Sequence, residues 1–252
     1  MKRFLLAAFA VLSVPAAAHA DEFNVAVAAN FTAPAKEIAA TFEQKTGHKA
    51  ILSFGATGQF YAQIKQDAPF VVFLAADDET PKKAVEEGLA VPDSRFTYAV
   101  GRLVLWSKTS DTSLGEDTLR KGAFEKVSIA NPATAPYGAA AVQTMKKMGV
   151  YDAIQPKIVQ GNSIAQAFQF AETGAAELAF VALSQVIAKP EGTRWPVPET
   201  LHDPIFQDAV LLTKGAGNEP AKAFLAFLKG PEAAVVLSKY GYGAKVNSAA
   251  SN

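Results

Sequence analysis

The chain has 252 residues, no cysteine and only three histidines. Lack of cysteine rules out disulfides, thiol nucleophiles, four-cysteine metal sites and lipid attachment at a processed N-terminal cysteine. No excess of one charge exists either, because 24 basic residues balance 24 acidic ones. A nucleic-acid surface needs clustered Lys and Arg to displace counterions from phosphates, so that class is excluded. Enzyme signatures are missing as well. There is no G-x-S-x-G elbow and no H-E-x-x-H, and GATGQFY (55–61) lacks the lysine of a phosphate-binding loop. Past residue 20, no apolar run is long enough to span a bilayer.

What is present begins with an export signal. Lys2 and Arg3 form a positive start, Phe4 to Val14 an apolar stretch, and Ala18-His19-Ala20 a small-residue cleavage pattern. Cleavage after Ala20 predicts a periplasmic protein without a membrane anchor. The mature chain then carries 22 basic and 24 acidic residues, and 22 − 24 gives −2.

Beyond the signal, strand and helix patterns alternate. FNVAVAA (23–29), KAILSF (49–54) and FVVFLAA (70–76) read as strands, the last a continuous apolar run suited to the middle of a parallel sheet. Between them, apolar residues at 35, 38, 39 and 42, and then Phe60, Ile64 and Ala68, have helical spacing. AVGRLVLWSK (99–108) reads as one further strand, followed by KVSIA (126–130), KIVQ (157–160), ELAFVA (177–182) and DAVLLTK (208–214). This order predicts a two-lobed α/β fold, each lobe a mostly parallel sheet flanked by helices. The expected division is a signal over 1–20, lobe I over 21–99, lobe II over 100–204, and a return to lobe I over 205–252. Crossovers are expected near 98–102 and 202–208, the second at His202-Asp203-Pro204.

In open α/β sheets ligands sit beyond the carboxyl ends of the strands, so the strand-to-helix corners carry the chemistry. Four stand out: Ala29-Asn30-Phe31-Thr32, Ser53 to Gly58, Asn131 to Gly138, and Gln160 to Ile164. They hold amides, hydroxyls, glycine and proline, and no side chain charged near neutral pH. Each opens a helix, whose unpaired N–H groups and positive dipole end attract anions. Each corner residue also has an ordinary role. Thr32, Thr57 and Ser163 fit N-caps, Gly55 and Gly58 fit turns, and Tyr137 fits a packed aromatic. Asp77-Asp78 suggests a carboxylate pair, yet neighbours on an extended chain point apart, and a cap for the helix starting near Thr80 explains them better. Together the corners imply a cleft for a small anion or polar ligand.

The segments AANFTAP (28–34), SFGATGQFYAQI (53–64), FLAADDETP (73–81), NPATAPYG (131–138) and GNSIAQAF (161–168) resemble the periplasmic molybdate-binding (ModA) proteins of ABC importers, in the same order along the chain. The resemblance implies the type II periplasmic binding protein fold and no catalysis. It implies capture of molybdate, and of tungstate, without a cofactor and with no free-cation site. It also implies a monomer that delivers the oxyanion to an inner-membrane ABC importer permease. Its oxyanion contacts fall on Asn30, Thr57, Tyr137 and the backbone N–H of Ile164, with Ala29, Gly58 and Ser163 beside them. The chain departs from many members in having Ala182 where they place a late ligand tyrosine, and Thr57 where serine is common. Two other readings stay open: a binding protein of the same fold for sulfate or thiosulfate, and an exported hydrolase.

Overall fold

The computed structural model describes residues 21–109 and 113–243, so the export signal expected over residues 1–20 lies outside the described residues. The first elements are β1 (Glu22–Ala28), α1 (Thr32–Thr46), β2 (Lys49–Gly55), α2 (Thr57–Lys65), β3 (Val72–Leu74), α3 (Glu79–Glu86) and β4 (Phe96–Gly101). Next come β5 (Leu103–Ser107), α4 (Glu116–Lys121), β6 (Val127–Ala130), α5 (Pro136–Lys147), α6 (Tyr151–Ile154), β7 (Ile158–Gly161) and α7 (Ile164–Glu172). Then follow β8 (Leu178–Ala182), α8 (Leu183–Val186), β9 (Thr193–Pro196), β10 (Ile205–Leu211), α9 (Glu219–Leu228) and α10 (Pro231–Lys239).

The strands form two five-stranded sheets, ordered β2-β1-β3-β10-β4 and β7-β6-β8-β5-β9. Each sheet is mixed. In the first, β1 runs parallel to β2 and β3, while β10 runs antiparallel to β3 and β4. In the second, β6 runs parallel to β7 and β8, while β5 runs antiparallel to β8 and β9. The parallel side of each sheet comes from β-α-β units. The antiparallel side comes from β10 and β5, which enter from the segments that join the lobes.

Two boundaries differ from the sequence expectation, and the edge strand β9 (Thr193–Pro196) lies outside every run read as a strand. The run 99–108 is two strands: β4 ends at Gly101, β5 starts at Leu103, and Arg102 between them carries the chain from one sheet to the other. Apolar residues continue on both sides of that break, so periodicity does not register it. The return strand begins at Ile205 rather than Asp208, directly after Pro204, and a bulge at Gln207/Asp208 shifts its register against β4.

Both faces of the first sheet are covered. On one, Val25 and Val27 pack with Ile38 and Phe42, and the Phe42 ring lies 6.2, 5.3 and 5.6 Å from those of Phe23, Phe224 and Phe227. On the other, Phe60 meets Phe70 at 5.3 Å above Phe73 and Val210. The second lobe centres on Leu103, Leu105, Val127, Ile129, Phe180 and Met145. Ala28, Ala29, Ala56 and Ala76, at strand ends of the first lobe, join that second core. The lobes are therefore in contact across the cleft, through these alanines and Ile205 of β10. No helix among the described residues is long and apolar enough to cross a membrane.

Candidate binding site between the lobes

Four corners meet where the alanines leave a gap. The 3-10 turn Ala29–Phe31 follows β1, and the N-termini of α2, α5 and α7 face it. A small gap, about 200 Å³ of non-atom space that includes open solvent, is lined by Ala28, Ala29, Asn30, Gly55, Ala56, Thr57 and Ala76 from the first lobe. Ala135, Pro136, Tyr137 and Ile164 complete it from the second. The first-turn N–H groups of a helix have no intrahelical partner, so three helix starts bring donors here. Asn30 and Thr57 are buried, at 2% and 1% exposure. The Thr57 hydroxyl accepts a hydrogen bond from the Ala76 N–H at 3.0 Å, which leaves its own proton to give.

A polar network backs the cavity. Asn30 Nδ2 donates to Gln207 Oε1 (2.9 Å) and to the Tyr242 hydroxyl (3.0 Å), while Asn30 Oδ1 has no partner. Gln207 Nε2 donates to the Tyr137 hydroxyl at 3.1 Å. The Tyr98 hydroxyl donates to the Ala75 carbonyl (2.9 Å) and lies 3.1 Å from Gln207 Oε1. Ser184 of the second lobe donates to the Asn30 carbonyl (2.8 Å), which also accepts from Tyr242 (2.9 Å). Burial pushes the Tyr98, Tyr137 and Tyr242 phenols above their ordinary values, so all three keep their protons; for Tyr137, the Gln207 hydrogen bond and the nearby Asn30 amide pull more weakly the other way. The cavity and its backing are thus uncharged.

The cleft changes character around one contact. Gly58 N–H donates to the Thr134 carbonyl at 2.8 Å, a backbone bond between lobes. An outer pocket of about 890 Å³, partly open to solvent, is lined by Asp77, Asp78, Glu79, Gln143 and Asp203 among others. Asp77 caps α3, as its position suggested: its oxygens accept from Thr80 N (2.8 Å) and Thr80 Oγ1 (3.0 Å). Among the described residues no group of three or more His, Cys, Asp or Glu could hold a metal ion.

Of the residues singled out from sequence, Ala29, Asn30, Thr57, Tyr137 and Ile164 line the one cavity. Gly58 and Ser163 do not. The Gly58 N–H is spent on Thr134, and Ser163 Oγ accepts from Gln166 N at 3.4 Å as the cap of α7. Sequence reasoning missed Gln207, Tyr98, Tyr242 and Ser184. One signal was available for Gln207, an uncharged polar residue inside the apolar strand IFQDAVL.

Comparison with known proteins adds four facts. Residues 23–243 match the family described as bacterial extracellular solute-binding protein. The molybdate-binding protein ModA of Rhodobacter capsulatus is 57% identical over 231 residues, covering 92% of this chain and 91% of that one. ModA of Azotobacter vinelandii is 58% identical over 231 residues, covering 90% and 92%. Among solved structures, the periplasmic molybdate-binding protein of Azotobacter vinelandii superposes with a TM-score of 0.85 at 38% identity, covering 88% of this chain and 99% of that one.

Proposed function

We propose a function from one premise: the chain belongs to the bacterial extracellular solute-binding proteins, within the ModA family. It captures molybdate, and tungstate, in the cavity between the lobes and passes the oxyanion to an inner-membrane ABC importer permease. It works in the periplasm as a monomer, after removal of residues 1–20, with no cofactor and no catalysed reaction. The observation that carries this reading is an interlobe cavity with helix N-termini and neutral donors around it and no carboxylate in its lining.

The contacts are Asn30, the Thr57 hydroxyl, and the first-turn N–H groups at Tyr137 and Ile164. Ala29, Gly58 and Ser163 support them, by shaping the first corner, joining the lobes and capping α7. A tetrahedral dianion only accepts hydrogen bonds, which suits a lining that offers donors. Phosphate near neutral pH brings a proton, and burying that donor unpaired costs about 1–3 kcal/mol. Sulfate has no such proton, so cavity size must reject it. Opening and closing take place about the two segments that join the lobes, and the closed form docks on the permease.

Thermal-shift and calorimetric titrations of residues 21–252 with molybdate, tungstate, sulfate and phosphate test this. Molybdate and tungstate are expected to bind at micromolar or lower concentration and to raise the melting temperature. At a hundredfold excess over Kd the stabilisation is about 2.7 kcal/mol. An equal response to sulfate would overturn the specificity, and no response to molybdate would overturn the function.

A further inference from the structure

We propose that Gln207 is a positioning residue that sets which atom of the Asn30 carboxamide faces the bound oxyanion. The inference rests on the reading above and deepens it. Gln207 lies on β10, fully buried, between Asn30 of the first lobe and Tyr137 of the second. Space for this arrangement depends on Gly101 of β4, where a β-carbon would come within 2.1 Å of the Tyr137 hydroxyl and 2.5 Å of Gln207 Nε2.

In the structure both Asn30 N–H bonds point inward, to Gln207 and Tyr242, and the remaining amide atom, Oδ1, is buried without a partner. Asn30 lines the cavity, and an unpaired carbonyl oxygen there repels an anion. Turning the Asn30 amide alone would set its oxygen against Gln207 Oε1. Turning both amides by half a turn removes that clash. Gln207 Nε2 then donates to Asn30 Oδ1 and to the Tyr98 hydroxyl, which keeps its bond to Ala75. Gln207 Oε1 accepts the proton of the Tyr137 hydroxyl, and Tyr242 donates to Asn30 Oδ1. Asn30 Nδ2 takes the place of the unpaired oxygen and offers its N–H bonds to the ligand. No proton changes its atom; only the direction of the hydrogen bonds reverses.

An oxyanion only accepts hydrogen bonds, so it selects the outward setting of the Asn30 amide. Because Gln207 has one oxygen and one nitrogen, the Asn30 donor and the Tyr137 hydroxyl proton are not offered to the ligand together. Tyr137 therefore serves through its backbone N–H.

A double-mutant cycle with molybdate as the probe tests this. Gln207→Met fills the same volume without hydrogen bonds and is expected to weaken binding about tenfold, with Asn30→Ala weakening it about 10–100-fold. In the Asn30→Ala background, Gln207→Met should change affinity by less than about twofold. The same tenfold loss in both backgrounds would show that Gln207 only packs the joint between lobes, and would overturn the proposal. NMR of the wild-type chain gives a second readout that packing alone would not move. The side-chain amide signals of Asn30 and Gln207, assigned by their loss in the variants, should both shift on adding molybdate. Unmoved signals in a chain that binds molybdate would overturn the proposal and leave the function standing, whereas a wild-type chain that does not bind molybdate overturns the function itself.

Discussion

The inner cavity and the outer pocket share one cleft and three lining residues, Ala76, Ala135 and Pro136, yet they are chemically opposite. The inner one has no carboxylate in its lining. The outer one is partly open and carries Asp77, Asp78, Glu79 and Asp203. The backbone bond from Gly58 N–H to the Thr134 carbonyl joins two residues of the outer lining. Carboxylates thus come as near as Asp77, beside the shared Ala76, where Thr80 caps it. On the function proposed above, selectivity depends on where charge is kept out. A dianion held by neutral donors needs every nearby acid to stay solvated or capped.

The largest effect is expected from importing outer-pocket chemistry into the inner cavity. Thr57→Asp keeps an acceptor for the Ala76 N–H but adds a carboxylate, and should weaken molybdate binding by more than about a thousandfold. Binding within tenfold of wild type, measured by calorimetry, would refute the role assigned to neutrality. A smaller effect is expected from crowding the contact between Gly58 and Thr134. A β-carbon at Gly58 would lie 3.0 Å from Thr134 Cα, so Gly58→Val should hold the lobes apart. Affinity should fall about 10–100-fold, and small-angle scattering should show no compaction on adding molybdate.

The smallest effect is expected from neutralising the outer pocket. Asp203→Asn should leave molybdate affinity within about twofold and slightly raise the association rate at low salt. Asp77 adds a pH test. Burial, ahead of repulsion from Asp78 and Asp208, raises its carboxyl above the ordinary 3.8 despite the Thr80 hydrogen bonds. Its ionised form is therefore penalised in the folded state above the raised value, and the penalty disappears below the unfolded one. Asp77→Asn should match or exceed wild-type stability at pH 7, by less than about 1 kcal/mol, and lose that gain as pH falls below about 4. A variant less stable at pH 7 than at pH 4, relative to wild type, would reverse the sign.

Element order and the four corners were legible because strand alternation, helical spacing and turn chemistry act over a few residues. Asn30, Thr57 and Ile164 stood out because uncharged polar or small residues at helix starts are a local pattern. What was hidden is long-range. Gln207 is 177 residues from Asn30 and 70 from Tyr137, and nothing near it in sequence points to either. The break at Arg102 was hidden for a different reason, since both flanking strands are apolar and only their separate sheets tell them apart. Gly58 was noticed as a turn residue; that it bears on Thr134 depends on how the lobes meet.

The place of β10 has a consequence for biosynthesis. Gly101 at the end of β4 faces Ile205 at the start of β10, so the whole second lobe is an insertion at the tip of what would otherwise be a hairpin. β10 also lies between β3 and β4. As the chain emerges from its amino end, the first lobe starts earlier but lacks an interior strand until residues 205–211 appear. The second lobe has all its strands once β9 is made. The lobe begun second can therefore be finished first, and nearly the whole chain must be present before the first sheet closes.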